Sequence, residues 1–176
     1  MEKLSLDEIT DWKSFENLVA AYFETVKQDN EFNVESVLVQ PTGTGADGGR
    51  DILVTFTVHD SVIPFCRKWV IQCKFHDTDI SKGDLSDINI PSLLHEYGAN
   101  GYLLVCKHQV TAPVSRMFEE LNKNCWANRS YQFWKGDDLL KRVGVKDDLL
   151  RLYFPGFYSF MNRKESEADQ LLNEIK

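Results

Sequence analysis

No stretch of this sequence approaches the ~20 consecutive apolar residues that a membrane-spanning helix needs, so no such helix is expected. The opening Met-Glu-Lys-Leu-Ser-Leu-Asp lacks the basic-then-apolar order of a secretory signal, and a cytoplasmic location without membrane partners is the expectation. Cysteine is sparse: Cys66, Cys73, Cys106 and Cys125 are separated by 7, 33 and 19 positions, with no CxxC or CxxH pair. That spacing argues against a zinc motif and predicts reduced, buried thiols. No GxxxxGK[ST] run exists, which excludes a nucleotide-binding P-loop as a motif. Ser14 and Ser115 lack the partners of a nucleophilic triad. Internal repeats and low-complexity tracts are absent as well.

An excess of positive charge is also missing. The net charge of −7 argues against a protein that grips nucleic acid nonspecifically. The distribution tempers this, because residues 1–65 carry 12 acidic and 4 basic side chains whereas residues 66–176 carry 15 and 16. Lys74, Lys82, Lys107 and Arg116 are among the cations available to a local positive surface. A solvated mixed-charge surface is the plainer alternative for each.

The 176 residues suit one domain with a substantial core, and 43% apolar with 27% charged residues is ordinary for a globular chain. Trp12, Phe15, Val19, Tyr22, Phe23 and Val26 recur at helical spacing, predicting a helix from about Asp11 to Val26 capped by Thr10 or Asp11. Glu16 borders its apolar stripe. Val34 to Val39 alternates as a half-buried strand does. Residues 52–58 and 69–75 read as two further strands, joined by a loop holding His59, Asp60, Ser61, Pro64 and the pair Arg67-Lys68. A helix interrupted near Pro91 is expected between Ser81 and Tyr97. Tyr102 to Cys106 reads as a central strand buried on both faces. A helix from Pro113 to about Asn124, a strand at Tyr131–Trp134 and helices at 139–143 and 147–153 complete the pattern. The order predicts an α/β fold, a mixed sheet with helices on both faces. Residues 1–160 form the expected domain, and 161–176 a helical tail or linker.

One region stands out chemically. Four glycines fall within Gly43-Thr44-Gly45-Ala46-Asp47-Gly48-Gly49, just before Arg50-Asp51. If the strands at 52–58 and 69–75 form a hairpin turning near Val62 and Ile63, Asp51 sits opposite Lys74 and Leu53 opposite Gln72. Period-two alternation then puts Asp51, Gln72 and Lys74 on one face, where polar groups are costly unless paired or used in chemistry. Such a set suits metal-dependent phosphodiester hydrolysis. Mg²⁺ takes oxygen ligands and keeps several waters, so one or two carboxylates suffice. Asp51 is the candidate ligand, with the backbone carbonyl of Cys73 on the adjacent strand. Lys74 would orient water or stabilise the phosphorane oxygens, and Gln72 offers a neutral oxygen and an amide donor. Glu16 adds a carboxylate if its helix lies against the hairpin's end. A structural cross-strand ion pair between Asp51 and Lys74 is the competing explanation.

These pieces in this order resemble the Mrr-like branch of the PD-(D/E)XK nuclease superfamily. The likeness rests on Phe15-Glu16-Asn17-Leu18-Val19, on Gly45 to Ile52, and on Val70-Ile71-Gln72-Cys73-Lys74. Tyr97-Gly98-Ala99, Gly101 to Val105 and Gly136-Asp137-Asp138-Leu139-Leu140 extend it over roughly residues 12–143. The resemblance implies a restriction-endonuclease-like three-layer fold with a central mixed β-sheet flanked by helices. It implies a DNA endonuclease using Mg²⁺, with Mn²⁺ as a substitute, in restriction or anti-phage defence. It further implies Asp51 as metal-binding aspartate, Lys74 as motif lysine and Glu16 as the assisting helix glutamate. Gln72 stands where an acidic residue is usual, which removes one anionic ligand and gives Glu16 more weight. Arg50, His76 and His108 are candidate substrate contacts. A homodimer or a regulatory partner is a further expectation, and a noncatalytic nucleic-acid-binding or assembly module that keeps the fold is the rival.

Overall fold

The computed structural model describes residues 3–28, 33–42, 50–125 and 127–174, the last helix by its backbone alone from residue 165 onward. The glycine-rich turn singled out above, residues 43–49, lies outside the described residues.

Helix α1 (Trp12–Thr25) begins at Asp11, whose carboxylate accepts from the Ser14 backbone N at 2.8 Å and from the Ser14 hydroxyl at 2.6 Å. Its buried stripe is Phe15, Leu18, Val19, Ala20 and Phe23. Trp12 departs from expectation, being 58% exposed with the Lys13 ammonium 5.5 Å from its ring centre. Angular position alone does not bury a residue. The first turn extends past the packed surface, and burial starts at Phe15.

Five strands follow: β1 (Val34–Pro41), β2 (Ile52–His59), β3 (Pro64–Lys74), β4 (Gly101–Cys106) and β5 (Ser130–Trp134). They hydrogen-bond in sequence order, antiparallel from β1 to β3 and parallel from β3 to β5. The short loop between β2 and β3 allows a hairpin, whereas each parallel step needs a helical crossover. The crossovers contain α2 (Ile90–Glu96) and α3 (Ala112–Lys123), which cover one face around Leu53, Val70, Tyr102 and Leu104. Helices α1, α4 (Gly136–Val143) and α5 (Asp147–Tyr153) cover the other around Ile52, Val54, Ile71, Leu103 and Val105. The result is a three-layer α/β fold. Strand β4 is buried at every position, as a central strand covered on both faces should be.

Three expectations are corrected. Pro91 does not interrupt a helix but starts α2, with Asn89 capping it through a 3.0 Å bond from the Ser92 N. Proline lacks only an N–H that the first turn leaves unbonded anyway. Arg67 and Lys68 belong to β3 rather than to a loop. The hairpin register is also shifted by two residues, with Ile52 opposite Ile71 and Leu53 opposite Val70. The cause is the turn. The Asp60 carboxylate accepts from the backbone N of both Val62 and Ile63 at 3.0 Å, and Ser61 adopts φ 74°. The reversal therefore closes one residue earlier than the apolar run suggested, with His59 facing Pro64. An even shift keeps the paired residues of both strands on their faces, but the ladder ends at Ile52 and does not reach Asp51, so the expected pairing of Asp51 with Lys74 is not formed.

The cysteines are free, but only Cys106 is fully buried and Cys66 is exposed on β3. Helix α6 (Pro155–Glu174) follows α5 almost directly and runs through position 160 without a break. Glu8 caps it, accepting from Gly156 N at 2.8 Å and Phe157 N at 3.0 Å. No described helix is long and apolar enough to cross a membrane.

Gly136 starts α4 with its N–H donating to the His108 carbonyl at 3.1 Å. A Cβ there would collide with the Lys107 carbonyl oxygen. Backbone cannot yield as a flexible side chain does, so Gly136→Ala should cost about 1–3 kcal/mol in denaturant unfolding. An unchanged midpoint would show that α4 does not rest on the end of β4.

Candidate active site

Asp51 sits one residue ahead of β2, clamped by its own backbone. Its N–H donates to the Ile71 carbonyl at 3.0 Å, and its carbonyl accepts from Thr42 N at 2.7 Å. Asp51 itself is a bend outside the paired ladder, which ends with Ile52 opposite Ile71. Its carboxylate Oδ2 accepts from the Cys73 backbone N at 2.6 Å. The next residue faces the other way, since the Lys74 carbonyl accepts from Lys107 N, past the end of β4, at 3.1 Å. N–H and C=O of one strand residue point to the same side. The Cys73 carbonyl is therefore turned toward Asp51, where the β2–β3 ladder has already ended.

Around this backbone four charged side chains converge. Glu16 projects from the second turn of α1, mostly buried, with the Lys13 ammonium 3.0 Å from its Oε2. Burial raises the pKa of Asp51, and the Glu16 charge adds to that rise. The Cys73 N–H opposes it most strongly, followed by the charges of Lys74 and Lys13. Two carboxylates thus share a partly desolvated corner with two ammonium groups. Glu16 and Lys74 both act on the Asp51 carboxylate, which the Cys73 backbone N–H holds. Lys13 was missed, although its place three residues before Glu16 on a helix marks it as a neighbour.

Gln72 is only 4% exposed, and its Oε1 accepts from the Tyr102 hydroxyl at 2.5 Å. The oxygen read from the sequence as a possible ligand is thus engaged by a buried phenol, whose pKa burial pushes up. Tyr102 was also missed, because only the parallel pairing of β3 with β4, with Gln72 opposite Leu104, puts it within reach.

The remaining candidates lie outside this group. The Arg50 guanidinium stacks 4.6 Å from the Tyr97 ring centre. His76 Nδ1 lies 3.6 Å from Asp84. His108 is exposed, and its backbone carbonyl receives Gly136 N. Lys107, largely buried, pairs with Asp77 at 2.7 Å and lies 4.6 Å over Phe75. Asp84 is held low chiefly by Ser81, with His76 and Lys74 assisting, so the His76–Asp84 pair borders Lys74. It forms a rim rather than part of the carboxylate corner.

The donors at the corner are two carboxylates and one carbonyl, all oxygen. Among the described residues no group of three or more His, Cys, Asp or Glu side chains is placed to hold a metal ion. A hard divalent cation that retains water suits this set, whereas a zinc ion requiring four protein ligands does not. The raised Asp51 pKa supports the fit, since like charges in a desolvated corner are relieved by a cation.

The same strain predicts a pH-dependent stability. A carboxyl whose folded pKa exceeds its unfolded value holds its proton more firmly in the folded state. Its contribution is most favourable below the unfolded pKa and falls as pH rises through the folded one. With chelator present, Asp51→Asn should therefore melt above the wild type at pH 7. That advantage should shrink as the pH is lowered through the Asp51 titration. A variant melting below the wild type at pH 7 would remove electrostatic strain as a property of Asp51.

Residues 6–143 match the model of a family described as restriction endonuclease, the Mrr catalytic domain. No curated protein matches the chain. Among solved structures it is similar to the MspJI restriction endonuclease in complex with a 27-mer oligonucleotide, at 12% identity and a TM-score of 0.50. That alignment covers 74% of this chain and 27% of MspJI, and it shows a shared fold. The DNA modification-dependent restriction endonuclease AspBHI aligns at 13% identity and a TM-score of 0.48, over 90% of this chain and 43% of that one. The chain thus spans about a quarter of the first protein's length and less than half of the second's. With the match running from residue 6 to the end of α4, the chain belongs to the Mrr-type restriction endonuclease family.

Proposed function

We propose that this protein is a Mg²⁺-dependent endonuclease that hydrolyses DNA phosphodiester bonds, acting in the cytoplasm in restriction or anti-phage defence. The observation that carries the reading is the convergence of Glu16, Asp51 and Lys74 around the backbone of Cys73. A divalent ion (Mg²⁺, or Mn²⁺ in its place) held by Asp51, Glu16 and the Cys73 carbonyl would acidify water and polarise the phosphate. Family membership and the fold shared with MspJI, solved with a 27-mer oligonucleotide, support DNA as substrate. In this reading residues 1–160 are the nuclease domain and 161–176 a tail through which a second copy or regulatory partner could engage.

The chain's own residues divide the work. The Cys73 N–H fixes the Asp51 carboxylate through Oδ2, and Oδ1 is the oxygen assigned to ligation. Lys13 holds Glu16 by an ion pair one helical turn away. The Lys74 ammonium stabilises the oxygens around phosphorus as negative charge accumulates there, and orients the attacking water. Tyr102 holds Gln72 beneath them. Arg50, His76 and His108 are assigned to flanking substrate contacts.

Plasmid cleavage tests the reading. Chelator should abolish cutting, and Asp51→Ala and Lys74→Ala should each lower the rate by about 10²–10⁴-fold. Cutting that survives chelator or Asp51→Ala would overturn it. One observation favours a second reading, a noncatalytic nucleic-acid-binding or assembly module: Gln72 contributes no negative charge, and its oxygen is already engaged by Tyr102. DNA binding with no cleavage of duplex, single-stranded or branched DNA in Mg²⁺ or Mn²⁺ would select it.

A further inference from the structure

On the α1 side of the sheet lies a cavity of about 420 Å³, within the ~300–1,000 Å³ range of small-molecule sites. Five aromatic rings line it: Tyr22 and Phe23 from α1, Phe56 from β2, Trp69 from β3 and Trp134 from β5. Rings on the inner face of a sheet normally pack until no such volume remains. Here Phe23 and Trp134 stack at 5.6 Å with planes 12° apart, and Tyr22 meets the Trp134 ring edge-on at 5.7 Å, yet among the described residues no side chain fills the space beside them.

Two arginines also line it, among aliphatic residues and Gln132. Arg142, half-buried on α4, stacks 4.2 Å from the Trp134 ring centre, and Arg67, exposed on β3, lies 5.9 Å from that of Trp69. Arg142 donates one bond, to the Asp138 carbonyl at 3.0 Å. Among the described residues neither arginine forms an ion pair with a carboxylate. An uncharged apolar ligand would cover the half-buried Arg142 guanidinium without offering it an acceptor. An anionic group compensates both arginines, because a guanidinium over an indole ring still has N–H groups to present to phosphate. The rings independently select a planar heteroaromatic body, which stacks on them without needing a particular hydrogen-bond pattern.

The cavity is separate from the carboxylate corner. Phe23 lies seven residues beyond Glu16 on α1, about 10 Å along the axis. Trp69 precedes Lys74 by five residues on β3, roughly 17 Å of extended chain. We propose that this cavity binds a nucleobase carrying a phosphate, supplied either as a free nucleotide or as a base turned out of a nucleic-acid strand.

Trp69 and Trp134 make the site observable by fluorescence. In chelator, the wild-type protein is titrated with AMP, GMP, CMP and TMP, with their nucleosides, and with inorganic phosphate. Parallel titrations use a short single strand, a perfect duplex, and the same duplex with one unpaired base. Calorimetry checks each quench, and melting curves confirm that variants fold. Saturable binding of a mononucleotide, stronger than that of its nucleoside and absent for phosphate alone, supports a free-nucleotide site. Binding confined to the single strand or to the duplex with the unpaired base supports a turned-out base. In either case Arg67→Ala with Arg142→Ala should weaken binding tenfold or more, Arg142→Lys should retain only part of it, and Asp51→Asn should leave it unchanged. Absence of binding, equal binding by phosphate alone, or affinity indifferent to both arginines would overturn the proposal. Since Asp51→Asn removes the proposed cleavage but not this site, the two readings fail separately.

Discussion

The hydrogen bond from the Cys73 N–H to the Asp51 carboxylate is the constraint on which the rest of the site depends. It exists because β3 continues past the point where β2 has ended, leaving backbone groups without a ladder partner. A side-chain oxygen takes the place of the missing strand. Asp51 is thereby fixed in direction, and the neighbouring carbonyl of Cys73 is aimed into the same corner. Its other neighbours arrive from separate elements: Glu16 and Lys13 on a helix, Lys74 further along β3, and Tyr102 from the strand beyond. None could be positioned with useful accuracy if the end of the hairpin were free to slide.

That corner works against stability, and the remainder of the fold offsets it. Burial and the neighbouring Glu16 charge both disfavour the ionised Asp51, while Lys74 and Lys13 compensate only in part. Behind it stand Phe15, Leu18, Val19, Ile52 and Ile71 on one face, and Val70, Tyr102 and Leu104 on the other, all buried. Apolar contacts on both faces of β3 hold the strand in register regardless of the charges at its end. The division is a physical account of how a destabilised group persists at a fixed place. The surrounding structure over-determines a geometry that the group itself disfavours.

Helix α1 joins two different environments. Its first turns carry Lys13 and Glu16 to the charged corner, while Tyr22 and Phe23 line the aromatic cavity about two turns further on. One amphipathic helix lying along the sheet supplies both because its axis spans the sheet from the end of β3 toward the other end of that strand. A rigid element of this kind fixes the separation between the two places. Contact at one end can be felt at the other only through a shift of the helix as a whole or through the strands beneath it.

Much of this was legible in the residues. The period-3.6 stripe from Phe15 to Phe23, the alternation in β1 and the unbroken apolar run of β4 each follow from local burial, which leaves its mark on nearby positions. The shared face of Gln72 and Lys74 was legible for a sturdier reason, since alternation along one strand does not depend on its register with the next. Trp12, Pro91 and the hairpin turn were misread because the deciding factors were where the packed surface ends, where a helix starts and which carboxylate bonds the turn. The sequence by itself determined which side chains could share a face, because that depends only on the geometry of one strand or one helix. Tertiary structure alone decided that Tyr102 engages Gln72, that Lys13 joins Glu16 beside Asp51, and that five rings leave a cavity between two arginines. Those contacts join residues tens of positions apart, and their geometry is set by strand order and helix placement, which no local pattern encodes.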